Sequence, residues 1–152
     1  PDEEEQYRAY RRFVEWASGR PVTIRTLDIG GDKPVRGLTP EGEANPFLGL
    51  RGVRLTLARP DVFRTQLRAL ARAAAHGDLQ VMIPMVSIPA ELAQTAALLD
   101  TVMAELQRDG VACRPIWVSG RPLPVSLRRA PRRSSYRSSG RSQIRLLPIP
   151  RQ

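Results

Sequence analysis

Two stretches decide how this chain reads: PVTIRTLDIGGDK at residues 21–33 and EANPFLGLRGVR at residues 43–54. Each runs through apolar, strand-like residues and then presents an arginine. Arg25 follows Val22, Thr23 and Ile24, and Arg51 follows Phe47, Leu48, Gly49 and Leu50. Two guanidinium groups delivered in this way can form a forked clamp for a phosphate or a carboxylate. A third stretch, VMIPMVS at residues 81–87, carries another apolar run into a proline, Pro84.

Around these stretches the hydrophobic pattern alternates between two periods. Residues 22–27 and 79–85 are short β-rich runs bounded by turn residues, which predicts buried parallel strands. Residues 28–34 form a turn-rich loop and residues 35–45 an irregular one. Helices are expected at residues 2–17, 61–75 and 89–107. The first has Tyr7, Tyr10, Val14 and Ala17 at three- and four-residue steps, with Glu3, Glu4 and Glu5 at the positive end of the helix dipole. The second has a stripe of Val62, Leu67, Leu70, Ala71 and Ala74, and the third one of Leu92, Ala96, Leu99, Met103 and Leu106. Residues 47–57 send mixed signals: Asn45-Pro46 starts a turn, Gly49 and Gly52 weaken a helix, and Val53, Leu55 and Leu57 alternate. Strand, helix, strand, helix is the order of an α/β protein built from parallel βα units with right-handed crossovers.

Composition divides the chain. All 15 acidic residues lie at or before Asp109, against Lys33 and 13 arginines over the same residues, so that part is near neutral at −1. Residues 110–152 hold ten arginines and no lysine, aspartate or glutamate, so the +9 of the whole chain belongs to its end. Past Arg114 the periodicity stops, and the Arg/Pro/Ser-rich run predicts a disordered basic tail over residues 114–152. A bias of that kind without a single acid is what a shifted reading frame in a GC-rich gene produces, so a frameshifted or truncated product is expected. The missing initiator Met suggests a start inside a longer frame. The single cysteine, Cys113, excludes an internal disulfide framework and fits a reducing cytosol. No run approaches the roughly 18 apolar residues of a membrane span.

Taken in order, IRTLDIGGDK (24–33), NPFLGLRGVRL (45–55) and VMIPMVS (81–87) resemble the Enzyme I family of the bacterial phosphoenolpyruvate-dependent sugar phosphotransferase system. The resemblance lies in that family's C-terminal, phosphoenolpyruvate-binding domain. It implies that residues 1–113 are part of a (β/α)₈ TIM barrel, about three βα units of a fold that takes about 250 residues in full. It implies a short helix after Arg51, and contact of Arg25 and Arg51 with the substrate phosphate. It implies Mg²⁺ as cofactor. The partners it implies are phosphoenolpyruvate, a histidine-containing phosphocarrier protein and a second copy in a homodimer, in the cytoplasm and in the service of sugar uptake. The family's metal-binding Glu and Asp, the Asn beside the latter, a further arginine, its acid cysteine and its phosphorylated histidine have no counterpart here. No catalytic residue and no metal ligand is therefore assigned in this chain, and no phosphoryl transfer is expected from it alone. Pyruvate phosphate dikinase and phosphoenolpyruvate synthase share the NPxLGxRG-like wording, but DIGGDK favours Enzyme I. The alternative from another class is a small α/β module whose basic tail binds nucleic acid by counterion release. With one tyrosine in that tail, specific nucleic-acid recognition is unsupported.

Blander accounts compete for the same residues. Arg25 could simply pair with Asp28 or Asp32, and Arg51 could be a solvated arginine at a helix start. The pair Gly30-Gly31 lets backbone amides approach an anion, yet Asp28, Asp32 and Lys33 could equally belong to a connecting loop. His76, before Gly77, suits a helix C-terminus, where a cation is favoured. Cys113 reads as inert, and Met82 and Met85, flanking Pro84, as core and strand end.

Overall fold

A computed structural model of the chain describes residues 1–30, 35, 37–39, 45 and 48–118. All of them fall within Pro1–Pro122, the first of two units into which the chain divides. The tail from residue 119 onward, and Gly31, Asp32, Lys33, Pro46 and Phe47 of the arginine-bearing stretches, lie outside the described residues.

Helix α1, Glu3–Trp16, opens on a reciprocal cap. The Asp2 carboxylate accepts the Glu5 N–H at 2.8 Å, and the Glu5 carboxylate accepts the Asp2 N–H at 3.1 Å. Left-handed Ser18 and Gly19 stop it. Strand β1, Val22–Arg25, is shorter than its apolar run. The Thr26 N–H still reaches the Met82 carbonyl at 3.0 Å, but the Leu27 N–H is taken by the Gln66 side chain, also at 3.0 Å. The ladder ends where a helix side chain intercepts it.

Helix α2, Gly52–Ala58, resolves the mixed signals of residues 47–57 in favour of a helix after Arg51. Helix α3, Pro60–Ala73, has its proline in the first turn, where no amide partner is lost, and tightens into a 3₁₀ turn at Ala74–His76. Strand β2, Leu79–Met82, again stops short of its apolar run, before Pro84 and a left-handed Met85. Helix α4, Pro89–Arg108, begins where the Glu91 carboxylate accepts the N–H groups of Ser87 and Ile88, at 2.6 and 3.1 Å. A third strand, β3 (Trp117–Val118), lies past residue 113, among residues with no periodic signal. The ordered fold thus runs beyond the point where the pattern fades, because a strand of two residues is too short to show alternation.

The three strands form one parallel sheet in the order β1–β2–β3. Arg25 stands beside Met82, and Val81 beside Val118. Phe63, Leu67 and Leu70 of α3 meet Val102 and Leu106 of α4, Val53 of α2, and Leu79 and Val81 of the sheet in one core. Burial of this kind, at about 25 cal/mol per Å² of apolar surface, is the main stabilising contribution. Strands β1 and β2 are covered on this face only. Thr23, Arg25, Gln80 and Met82 point away from the core and are exposed among the described residues. This corrects the reading of both strands as buried, and of Met82 and Met85 as core and strand end: they are 37% and 42% exposed, and the strand stops at Met82. Runs this short do not distinguish a strand covered on two faces from one covered on one.

Ion pairs bind α1 and α4 to α3. Arg68 and Arg72 meet Glu3 at 2.6 and 2.7 Å, Arg72 also meets Glu4 at 2.7 Å, and Arg64 meets Glu105 at 2.7 Å. The Arg72 guanidinium lies 4.1 Å from the Tyr7 ring centre. A hydrogen bond from Arg72 holds the Glu4 carboxyl below its ordinary 4.5, those from Arg64 do the same for Glu105, and the Ser87 amide does so for Glu91. A carboxyl lowered on folding adds stability above 4.5, which is lost as pH falls through the folded-state value. The urea midpoint of the chain should therefore hold from neutrality down to about pH 5 and decline below it. A flat profile down to pH 3 would show that these pairs contribute nothing.

Candidate functional site

The polar groups of interest collect at the carboxyl ends of the strands. Arg25 is the last residue of β1, and its side chain is more than half exposed. Two residues on, the backbone is held by Gln66, whose amide also donates to the Tyr10 hydroxyl at 3.0 Å. Gln66 is buried, and its place inside an apolar helix stripe gave little sign of this role. The anchored backbone delivers Asp28 between two arginines. Its Oδ2 lies 3.3 Å from Arg25 Nη1, and its Oδ1 lies 3.4 Å from Arg51 Nη2.

Arg51 reaches that point by another route. It is the extended residue just before α2, and it is 91% buried. The Asn45 carbonyl accepts the Leu48 N–H at 3.1 Å, and Arg54 donates to the Leu48 carbonyl at 2.8 Å, which braces the approach. Gly52 then takes a left-handed φ of 54°. A Cβ on Gly52 would lie 2.9 Å from Met85 Cβ and 3.1 Å from the Pro84 carbonyl oxygen. The same carbonyl accepts the Val53 N–H at 3.1 Å. The turn after β2 is therefore the seat on which α2 rests, and it fixes where Arg51 points. Met85 is itself left-handed, at φ 62°, a backbone state that costs an ordinary residue about 1–2 kcal/mol.

All three sequence stretches thus meet at one corner. The pairing offered as the blander account of Arg25 is present, and it is shared with Arg51. The blander account of Arg51 is corrected: the residue is not solvated, because the Gly52 contact draws it against the β2 turn. The Arg25–Asp28 pair is largely exposed and contributes little to stability. Arg51 and Asp28 are both shielded, with side chains 11% and 14% exposed, so their attraction is less screened. Gly30 is buried beside them in sequence, while Gly31, Asp32, Lys33 and Pro46 fall outside the described residues.

His76 and Cys113 lie elsewhere. Each precedes a strand, so the parallel topology puts both toward the amino ends of the sheet, opposite the arginines. His76 Nε2 is 2.9 Å from the Tyr7 hydroxyl, a tie to α1 that the helix-end reading did not include. Burial pushes the Cys113 thiol up, against a nucleophilic role. Among the described residues no three His, Cys, Asp or Glu side chains gather as a metal site, and no helix is long and apolar enough to cross a membrane.

Fold and site together define a parallel α/β protein whose charged loop groups gather at the carboxyl ends of its strands. Residues 1–120 match the PEP-utilising enzyme, PEP-binding domain family, and the chain belongs to that family. It is 50% identical over 111 residues to the phosphoenolpyruvate-protein phosphotransferase of Priestia megaterium, covering 73% of this chain and 19% of that protein. It is 56% identical over 106 residues to the protein of the same name from Mycoplasma pneumoniae, covering 70% of this chain and 18% of the relative. With the Geobacillus stearothermophilus protein of that name the identity is 49% over 112 residues, covering 74% and 19%. The chain spans less than a fifth of the length of these relatives.

Proposed function

We propose that this chain supplies the phosphate-binding corner of a phosphoenolpyruvate-protein phosphotransferase. The observation that carries the reading is the convergence of Arg25 and Arg51, from two separate stretches, on one carboxylate at the carboxyl ends of parallel strands. Guanidiniums brought together around an anion in a partly desolvated corner form a site set up before the ligand arrives, which is the arrangement that best stabilises charge moving during phosphoryl transfer. The relatives' name supports this reading over pyruvate phosphate dikinase or phosphoenolpyruvate synthase.

The three strands are then an arc of a (β/α)₈ barrel, and the exposed face bearing Thr23, Arg25, Gln80 and Met82 is the part that would line its interior. The parent reaction moves the phosphoryl group of phosphoenolpyruvate to an enzyme histidine, and from there to a histidine-containing phosphocarrier protein for sugar uptake, in a cytoplasmic homodimer. Phosphoenolpyruvate-utilising enzymes generally depend on Mg²⁺. The described residues do not fit that ion: no metal cluster is present among them, and Asp28 is turned to two guanidiniums. Of this machinery the chain provides the two arginines, and it transfers no phosphoryl group alone.

Titrating the chain with phosphoenolpyruvate, followed by amide NMR, tests the reading. Shifts should centre on Arg25, Asp28 and Arg51 and vanish in the Arg25→Ala/Arg51→Ala double variant. Shifts that persist in the double variant would end the proposal.

A further inference from the structure

Asp28 gives one oxygen to each arginine, at 3.3 and 3.4 Å, so the clamp already holds an anion that belongs to the chain. Two features bear on what a ligand must do to enter. The carboxylate is tethered three residues from Arg25, so it competes at the high effective concentration of an intramolecular group. Its two contacts are single and long rather than a parallel fork, so they yield to a better partner.

An entering carboxylate exchanges one negative charge for another and loses its freedom of motion, so it gains nothing. A phosphate dianion brings twice the charge and three acceptor oxygens, enough for both guanidiniums, and it repels Asp28 as it arrives. We infer that Asp28 is the specificity-determining residue of this corner: it acts as a built-in substitute anion that keeps out singly charged ligands and gives way to a phosphate dianion. The inference rests on the reading of Arg25 and Arg51 as a phosphate clamp.

The test compares two probes, inorganic phosphate in alkaline buffer and acetate, by NMR titration of the wild-type chain, Asp28→Asn, Asp28→Ser and the two arginine-to-alanine variants. Wild type should bind phosphate, with acetate weaker by a wide margin. In Asp28→Asn phosphate binding should tighten roughly tenfold, the scale of a lost charge-assisted competitor. Acetate should gain more than phosphate does, so the ratio between them shrinks. In the wild-type chain the Asp28 carboxyl ¹³C resonance should move with phosphate and stay put with acetate, a readout that holds even if both Asp28 variants fail to fold. Arginine-dependent phosphate binding with an unchanged or larger ratio in Asp28→Asn, or an unmoved Asp28 resonance at phosphate saturation, would overturn the inference and leave the clamp standing. Phosphate binding that is absent, or indifferent to both arginines, would overturn the clamp and the inference together.

Discussion

Arg51→Ala should lower phosphoryl transfer by about 10²–10³-fold, about 2.7–4 kcal/mol of transition-state stabilisation, the loss typical of one preorganised donor. The assay is a full-length relative carrying residues 1–118 of this chain in place of its own matched segment. The size of the effect follows from burial. Arg51 is shielded and held by its neighbours, so its charge acts in a weakly screened corner. Arg25 is more exposed and should cost less when truncated, toward the lower end of the same range. Lysine should rescue neither well, since a point charge cannot reproduce the planar fork. His76→Ala should leave transfer unchanged, because His76 ties α1 to the end of α3 at the far side of the sheet. Near-native transfer by Arg51→Ala, or its abolition by His76→Ala, would remove this corner from the chemistry.

Gly52→Ala should destabilise the fold by about 2–5 kcal/mol, with the left-handed backbone costing an alanine about 1–2 kcal/mol and the crowding adding about 1–3. The new Cβ would stand 2.9 Å from Met85 Cβ and 3.1 Å from the Pro84 carbonyl oxygen. Neither neighbour is the loose end of a side chain, so α2 or the β2 turn must move. The Val53–Pro84 hydrogen bond would be strained with them, and Arg51 would leave its place. Thermal unfolding should show a fall in Tm of roughly 10 °C. Met85→Gly in the same chain removes the closest contact and should recover part of the loss, with a coupling of at least about 0.5 kcal/mol. Additive effects of the two substitutions would show that the contact is not what makes glycine necessary.

The legible parts of the fold were those made by neighbours in the chain. The acidic first turn of α1 and the apolar stripes of α3 and α4 act over three or four residues, and they place those helices to within a few residues. The arginine-bearing stretches announced themselves through order and wording, and the structure brings them to one corner. The blander ion-pair account of Arg25 also proved present, since a carboxylate three residues away is within reach of any loop that turns back.

Legible in the residues alone are the alternation of parallel strands with helices, the position of both arginines at the ends of apolar runs, and the separation of a near-neutral front from a basic end. The rest depends on contacts between elements. Where β1 stops depends on the Gln66 amide, 39 residues from the Leu27 N–H that it captures. Which face of the sheet stays open depends on where the helices pack. Arg51 is buried because Gly52 seats α2 on the turn at Pro84 and Met85, more than thirty residues downstream. Asp28 serves two arginines only because a second stretch arrives beside the first. Local pattern reports the hydrogen bonds and apolar spacing within one element. Contacts between elements are made by packing, where a residue's partner is set by the whole fold and carries no mark in the residues around it.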